Sequence, residues 1–248
     1  MPRHFRFEPR LPTTLAAAAG IAAALALANW QLGRAHEKEG LAARLAALSR
    51  GPAVTLPSDA MKAEDLEWRR VTARGRFEPK YVAFIDNRIR RGVAGYHVVM
   101  PLEIGSASGG TKGGGGRYVL VNRGWVAGTR DRARLPEVKT PEGTVEITGL
   151  AVIPSRRFLE LSSQAAAGEG KVLQNLTLER YRQAVPIALQ PVVIQQESPL
   201  DDGLAREWDP PDLGVDRHYG YAVQWLALAL TILVFYLVTH VRRAAEKT

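Results

Sequence analysis

Residues 218–241 read HYGYAVQWLALALTILVFYLVTHV, a run without Lys, Arg, Asp or Glu. A helix needs roughly 20 mostly apolar residues to cross the hydrocarbon core of a bilayer, and this run is long enough. Tyr219, Tyr221 and Trp225 crowd its first turns, where aromatic side chains settle at the membrane–water interface. A second uncharged run, LPTTLAAAAGIAAALALANWQLG, covers residues 11–33 and ends near Trp30. It is Ala-rich and carries Thr13, Thr14, Asn29 and Gln31. A cleaved signal peptide is the alternative for this first run, with Ala24-Leu25-Ala26 as small residues near a cleavage point; against it, the run exceeds the ~7–15 residues of a signal core. The expected organisation is a tail (1–10), a first transmembrane helix (11–33), a β-rich domain (34–217), a second transmembrane helix with its aromatic belt (218–241) and a second tail (242–248).

The tails carry Arg3, Arg6 and Arg10 against Glu8, and Arg242, Arg243 and Lys247 against Glu246. Basic residues in short flanks stay on the inner side of a membrane. Both tails are therefore expected in the cytoplasm, with the central domain on the outer side. The tails hold half of the net charge of +8, so the domain is only mildly basic. With no basic stripe of interleaved stacking aromatics, nucleic-acid binding is not expected. The Arg88, Arg90, Arg91 and Arg130, Arg132, Arg134 groups read as solvated turns rather than as an anion surface. The absence of cysteine excludes disulfides, thiolate nucleophiles and Cys-based metal sites, and it suits an oxidising outer compartment.

Between the runs, helical character continues past residue 33, because Leu41, Leu45 and Leu48 recur at i, i+4 and i+7 until Gly51-Pro52 stops them. Strands are then expected at 68–77, 81–89, 95–104, 117–126, 144–153 and 191–196, each rich in β-branched and aromatic residues and bounded by Gly or Pro. Their direct succession favours antiparallel pairing in a barrel or sandwich over βαβ units. One short helix is expected at 176–185. The fold class is thus α+β: two membrane helices flanking an antiparallel β-rich barrel or sandwich with a few helices. The Gly/Ser-rich stretch 105–116 has no Gly-Lys-Ser/Thr ending and no following helix, so it reads as a hairpin tip rather than a phosphate cradle. Asn175-Leu176-Thr177 matches the short N-glycosylation pattern.

No Gly-x-Ser-x-Gly elbow is present. His4, His36, His97, His218 and His240 are scattered singly, and with three Met in the chain a copper or zinc carrier lacks ligands. No catalytic residues are expected. Asp201-Asp202 sit in a Gly/Pro-rich loop and read as turn residues. His97 reads as a strand residue packed within the domain, and His240 as a polar tip at the inner interface. His218 stands at the outer interface among Tyr and Trp. An imidazole there can serve as an axial ligand to haem iron, with outward Arg side chains pairing to propionates. It can equally be an interfacial anchor bonded to water or headgroups, and the residues alone leave both open.

Taken in order, Gly75-Arg76-Phe77, Asn87-Arg88, GYHVVMPL (95–102), VLVNRGWV (119–126), Thr148-Gly149-Leu150 and HYGYAVQW (218–225) resemble the surfeit locus protein 1 family, assembly factors of haem–copper cytochrome c oxidase. The likeness spans nearly the whole chain, including the two-span topology. The Gly-rich stretch is the departure. The resemblance implies a non-enzymatic biogenesis factor that binds or positions haem a, transiently, for insertion into oxidase subunit I. It implies His218 as the iron ligand, with Tyr219, Tyr221, Gln224 and Trp225 completing the cofactor-binding segment. The implied partners are subunit I, other assembly factors and membrane lipids, with Asn29 and Gln31 bonding across to subunit I helices. The composition and short leading tail suggest a bacterial inner-membrane protein with a periplasmic domain. The alternatives are a haem-free scaffold for nascent subunit I and, from another class, a membrane-anchored periplasmic hydrolase or ligand-binding domain.

Overall fold

The computed structural model describes residues 5–105, 117–129, 131, 134–154 and 172–243. The Gly/Ser-rich stretch beyond Gly105, Arg130, Arg132 and the outermost tail residues lie outside them. The chain forms two compact units, one from 1–44 with 210–248 and one from 45–209.

In the first unit, helix α1 (Leu11–Arg50) and helix α4 (Val215–His240) are both long and apolar enough to cross a membrane. They pack antiparallel. Thr13 meets His240, Thr14 bonds the Tyr236 hydroxyl, and Gln31 reaches His218. The contact stripe is small: Ala24, Ala28 and Ala35 on α1 and Ala222 and Ala229 on α4 are buried. Without a hydrophobic drive between helices in lipid, close approach over small residues and interhelical hydrogen bonds supplies the attraction. The large side chains, among them Leu230, Phe235 and Val238, face outward. Strands β1 (Phe5–Phe7) and β10 (Val241–Arg243) pair antiparallel beyond the helices, which joins the two flanks at one end of the pair.

The second unit is built on strands β2 (Val54–Thr55), β3 (Arg70–Phe77), β4 (Ala83–Arg90), β5 (Val93–Glu103), β6 (Arg117–Ala127), β7 (Val145–Val152), β8 (Val172–Leu173) and β9 (Ala188–Gln196). Alternation makes them strands. On β3, Val71, Ala73 and Phe77 are buried while Arg70, Arg74 and Arg76 face out, the period of two that a half-buried strand requires. The sheet order is β2-β3-β7-β9-β6-β5-β4-β8, and a further β3–β5 pairing closes β3, β7, β9, β6 and β5 into a barrel. Val71, Leu102, Val119, Val121, Ile147 and Ile194 fill its interior. Closure happens at Gly75. There β3 leaves β7 and Arg76 pairs with Glu103, and a Cβ on Gly75 would stand 2.0 Å from the Glu103 carbonyl oxygen.

All six expected strands form, with ends moved by up to three residues. Most pairings are antiparallel, but β6–β9, β2–β3 and β4–β8 run parallel. Two residues of β2 and two of β8 carry too little pattern to be legible in sequence. The expected helix forms as α3 (Leu178–Ala184), and Ala63–Leu66 add one turn, α2. Thr177 caps α3 by accepting from the Arg180 amide, so the glycosylation-like pattern has a structural use.

Two β-bulges flank one residue of β5, His97. On β4 an extra residue lies between Ile85 and Arg88, where Asn87 takes a φ of 57°. On β6 the register slips between Asn122 and Gly124, leaving Arg123 as the extra residue. Bulges re-aim side chains, and this one turns Arg123 into the barrel end. Gly124 has a φ of 140° and lies so close to the 200–206 loop that a Cβ would fall 2.6 Å from the Ala205 carbonyl oxygen. Trp125 and Ala205 then exchange backbone hydrogen bonds at 2.7 and 2.9 Å.

Arg123 is fully buried and donates to Asp202, the Lys139 carbonyl and Thr140, each at 2.9 Å. Its guanidinium lies 4.6 Å from the Phe77 ring centroid. Asp202 is the turn residue that the sequence suggested, its Oδ1 accepting from the Leu204 amide at 3.2 Å, and it is also the buried counter-ion of Arg123, held by Arg206 at 2.5 Å. Its neighbour Asp201 is exposed and pairs with Lys139. Asp202→Ala should lower stability by about 3–5 kcal/mol, because it strands a buried charge. Asp201→Ala should leave the unfolding midpoint in place. Urea unfolding of the two variants side by side measures the contrast.

Candidate functional site

Position 218 is the fourth residue of α4. Residues four and seven apart share a helix face, so His218 lies in line with Ala222, Trp225 and Ala229, the face turned to α1. His218 and Trp225 are half-buried there. The His218 Nδ1 is 2.7 Å from the Gln31 Oε1. An amide oxygen can only accept, so Nδ1 carries the proton and donates. The lone pair is then on Nε2. Metal-binding imidazoles are commonly fixed in this way, one nitrogen donating to a neighbouring carbonyl while the other is presented to the metal. Gln31 is itself buried, at 8% exposure on an otherwise small-residue stripe. It was expected to bond outward to a partner's helices. It bonds inside the chain instead, because the antiparallel register of the pair brings α4 against it first. Asn29 is exposed.

The other candidate residues spread around the helix. At about 100° per residue, Tyr219 and Gln224 lie on opposite flanks of the His218 face. Tyr219 is half-buried and donates to Glu39 at 2.8 Å, whereas Tyr221 and Gln224 are exposed. The structure thus brings His218 and Trp225 to one face and leaves Tyr221 and Gln224 outside it. Arg34, Lys38 and Arg217 are the cations close enough to act on His218 electrostatically. A flat, apolar macrocycle with acidic edge groups and a vacant axial position fits this donor set: one neutral imidazole nitrogen, aromatic neighbours and cations at the rim. A bare ion does not, since among the described residues no three His, Asp or Glu side chains converge.

His240, at the other end of α4, is buried against Tyr236, Phe7 and Thr13 and acts as a clasp between the helix ends.

The second unit holds a cavity of about 420 Å³ on the outer face of the barrel, between the two bulges. His97 lines it, with Asn122 Nδ2 at 3.4 Å from its Nδ1 and the Trp208 ring edge-on at 5.4 Å between centroids. Among the described residues no hydroxyl is bonded to His97. Burial, helped by the charge of Arg88, lowers the His97 pKa from 6.5 to about 4. The reading of His97 as a packed strand residue holds, but its place at a cavity came from the bulges, which leave no sequence signal. Arg90 and Arg91 both pair with Glu207; Arg91 is a solvated turn residue as expected, whereas Arg90 is largely covered and stacks over Trp125.

The Asn122-Arg123-Gly124-Trp125 stretch turns out to be architectural. Arg123 and Gly124 secure the 200–206 loop, and Trp125 Nε1 donates to the Arg88 carbonyl at 2.7 Å, tying the two bulges together.

The SURF1 family profile matches residues 18–230 of the chain. A SURF1-like protein of Rickettsia felis is 26% identical over 222 residues, spanning 86% of this chain and 90% of that protein.

Because the folded His97 pKa lies below its unfolded value, the unfolded chain takes up the proton first on acidification. The contribution to stability is complete above pH 6.5 and is lost as pH falls towards about 4, an effect of roughly 3 kcal/mol. His97→Gln should flatten the stability profile across that window, as read from unfolding midpoints at stepped pH.

Proposed function

Because this chain belongs to the SURF1 family, a family of cytochrome oxidase assembly factors rather than of enzymes, we propose that it binds or positions haem a for insertion into subunit I of a haem–copper oxidase. Haem a is cargo in this reading, held for a time and given up. The observation that carries it is the 2.7 Å bond from His218 to Gln31, which leaves Nε2 free to meet an iron. A polar amide buried in a stripe of Ala within an apolar helix pair is costly unless it has a task. Setting the tautomer and direction of His218 is that task.

His218 would supply the axial nitrogen, and Trp225, on the same face, an apolar wall. Tyr219, bonded to Glu39, is held at the margin. Arg34, Lys38 and Arg217 would receive the propionates. Tyr221 and Gln224, exposed on α4, are placed to meet a partner rather than the macrocycle's iron. A single neutral imidazole with a neutral hydrogen-bond acceptor behind it is a weaker donor than one backed by a carboxylate, which suits a carrier that must release.

The proposed setting is a bacterial inner membrane, crossed by α1 and α4, with both tails cytoplasmic and the β-rich domain periplasmic. The basic tails support it, as does the β1–β10 pairing, which holds both flanks at one end of the helix pair. Subunit I and other assembly factors of the respiratory chain are the proposed partners.

The full chain, purified in detergent from cells that make haem a, should show haem a absorption bands. His218→Ala should lose them. Gln31→Leu should keep the fold and shift or weaken the bands by about tenfold in occupancy, the usual cost of removing a group that orients a ligand. If wild type and variants all lack haem while still co-purifying with subunit I, the protein is a haem-free scaffold and the carrier reading falls.

A further inference from the structure

The cavity beside His97 holds two opposite charges that do not meet. Arg88 and Asp209 both line it. Among the described residues neither the Arg88 guanidinium nor the Asp209 carboxylate makes a hydrogen bond or an ion pair, so the two stand further apart than a salt bridge. His97 lies within electrostatic reach of both, Arg88 opposing its protonation and Asp209 favouring it. Burial keeps that imidazole neutral at pH 7. The lining thus carries one positive and one negative group. Arg88 is half-buried and partly stripped of water, a loss that the nearby Asp86 does not make up. Asp86 itself lies outside the lining and accepts from the Asn87 amide. Asn122 turns its Nδ2 to His97 and its Oδ1 is closed off, so this amide is wall rather than ligand-binding group. Ile85, Leu176 and Val193 give the cavity an apolar side continuous with the cluster packed around Tyr181 of α3.

We propose that this cavity binds a small zwitterion, with its acidic group at Arg88, its ammonium at Asp209 and its apolar stem against Ile85, Leu176 and Val193. Two opposite charges facing one space select against an ion of either sign. An anion drawn to Arg88 is repelled by Asp209, and a cation drawn to Asp209 is repelled by Arg88. A molecule carrying both charges meets a complementary group at each end, and such complementarity sets specificity. A guanidinium holds a carboxylate or phosphate by paired hydrogen bonds, and a carboxylate accepts from the donors of an ammonium. In contact, the two side chains would satisfy each other. Held apart, they leave room for a molecule between them, and the cavity of about 420 Å³ is in the range of small-molecule sites. A free apolar α-amino acid and the phosphoethanolamine head group of a lipid share this chemistry. The site belongs wholly to the β-rich unit, so it stands or falls independently of the haem reading.

The test is calorimetric titration of the full chain in a non-ionic detergent with two zwitterions, L-leucine and glycerophosphoethanolamine. Each is set beside its singly charged relatives: N-acetyl-L-leucine and L-leucinamide for the first, glycerol phosphate and ethanolamine for the second. A zwitterion should bind saturably, and both of its relatives about tenfold more weakly or not at all. Tighter binding of L-leucine identifies a free amino acid as the source, and tighter binding of glycerophosphoethanolamine a lipid head group. Arg88→Gln and Asp209→Asn should each weaken the zwitterion by about tenfold. They should also shift the preference in opposite directions, Arg88→Gln towards the amine and Asp209→Asn towards the acid, which a merely structural role would not do. Arg88 is half-buried and Asp209 exposed, so both variants should keep the wild-type melting temperature. No saturable heat from either zwitterion at millimolar concentration, a singly charged relative that binds as tightly as its parent, or an unchanged affinity in the folded variants overturns the proposal. Haem a content of the Arg88→Gln protein should match wild type, which keeps the two readings separable.

Discussion

The Arg123–Asp202 ion pair is the constraint around which the β-rich unit is arranged. Two charges removed from water are expensive, and their attraction offsets the cost only with close geometry and filled hydrogen-bond positions. Here Arg123 gives four contacts' worth of order: Asp202, Thr140, the Lys139 carbonyl and the face of Phe77. Those groups come from strand β3, from the segment before β7 and from the loop after β9. A hydrophobic residue at position 123 could fill the space, but it could not specify which loop comes to the barrel end. The Gly124 backbone, open to the Ala205 carbonyl only because it lacks a Cβ, lets that loop come near enough for the pair to form.

The same bulge has a second consequence. By giving β6 one extra residue, it sends Arg123 inward and leaves Asn122 on the outer face, against His97. The matching bulge on β4 delivers Arg88 to that face. A regular ladder would have alternated these side chains in and out without gathering them. Irregularity in the sheet is thus what makes a polar, ligand-sized space on an otherwise well-packed barrel.

The helix pair follows a different economy. Its attraction comes from small residues and a few hydrogen bonds, and its antiparallel register is fixed at both ends, by Thr13 and Thr14 at one and by Gln31 at the other. That register decides which nitrogen of His218 is available. A slip of one turn would present a different α1 residue to the imidazole and leave Gln31 buried without a partner.

Much of this could be read from the residues alone. Uncharged runs of span length report α1 and α4, because hydrocarbon tolerates so few charges. Alternating Val, Ile and Arg report β3 and β7, because a strand has one buried face. The family likeness, carried by the 119–126 and 218–225 blocks, reports the same lineage that the profile match shows. What the sequence could not hold is anything set by pairing across the chain. The closing β3–β5 contact, the parallel β6–β9 pair, the burial of Asp202 and the Gln31–His218 bond each join residues separated by tens to nearly two hundred positions. Asp202 has the local look of a turn aspartate, and only the folded barrel surrounds it with two guanidinium groups. Local chemistry determined which elements form; desolvation and register, which exist only once the elements meet, decided what each polar residue does.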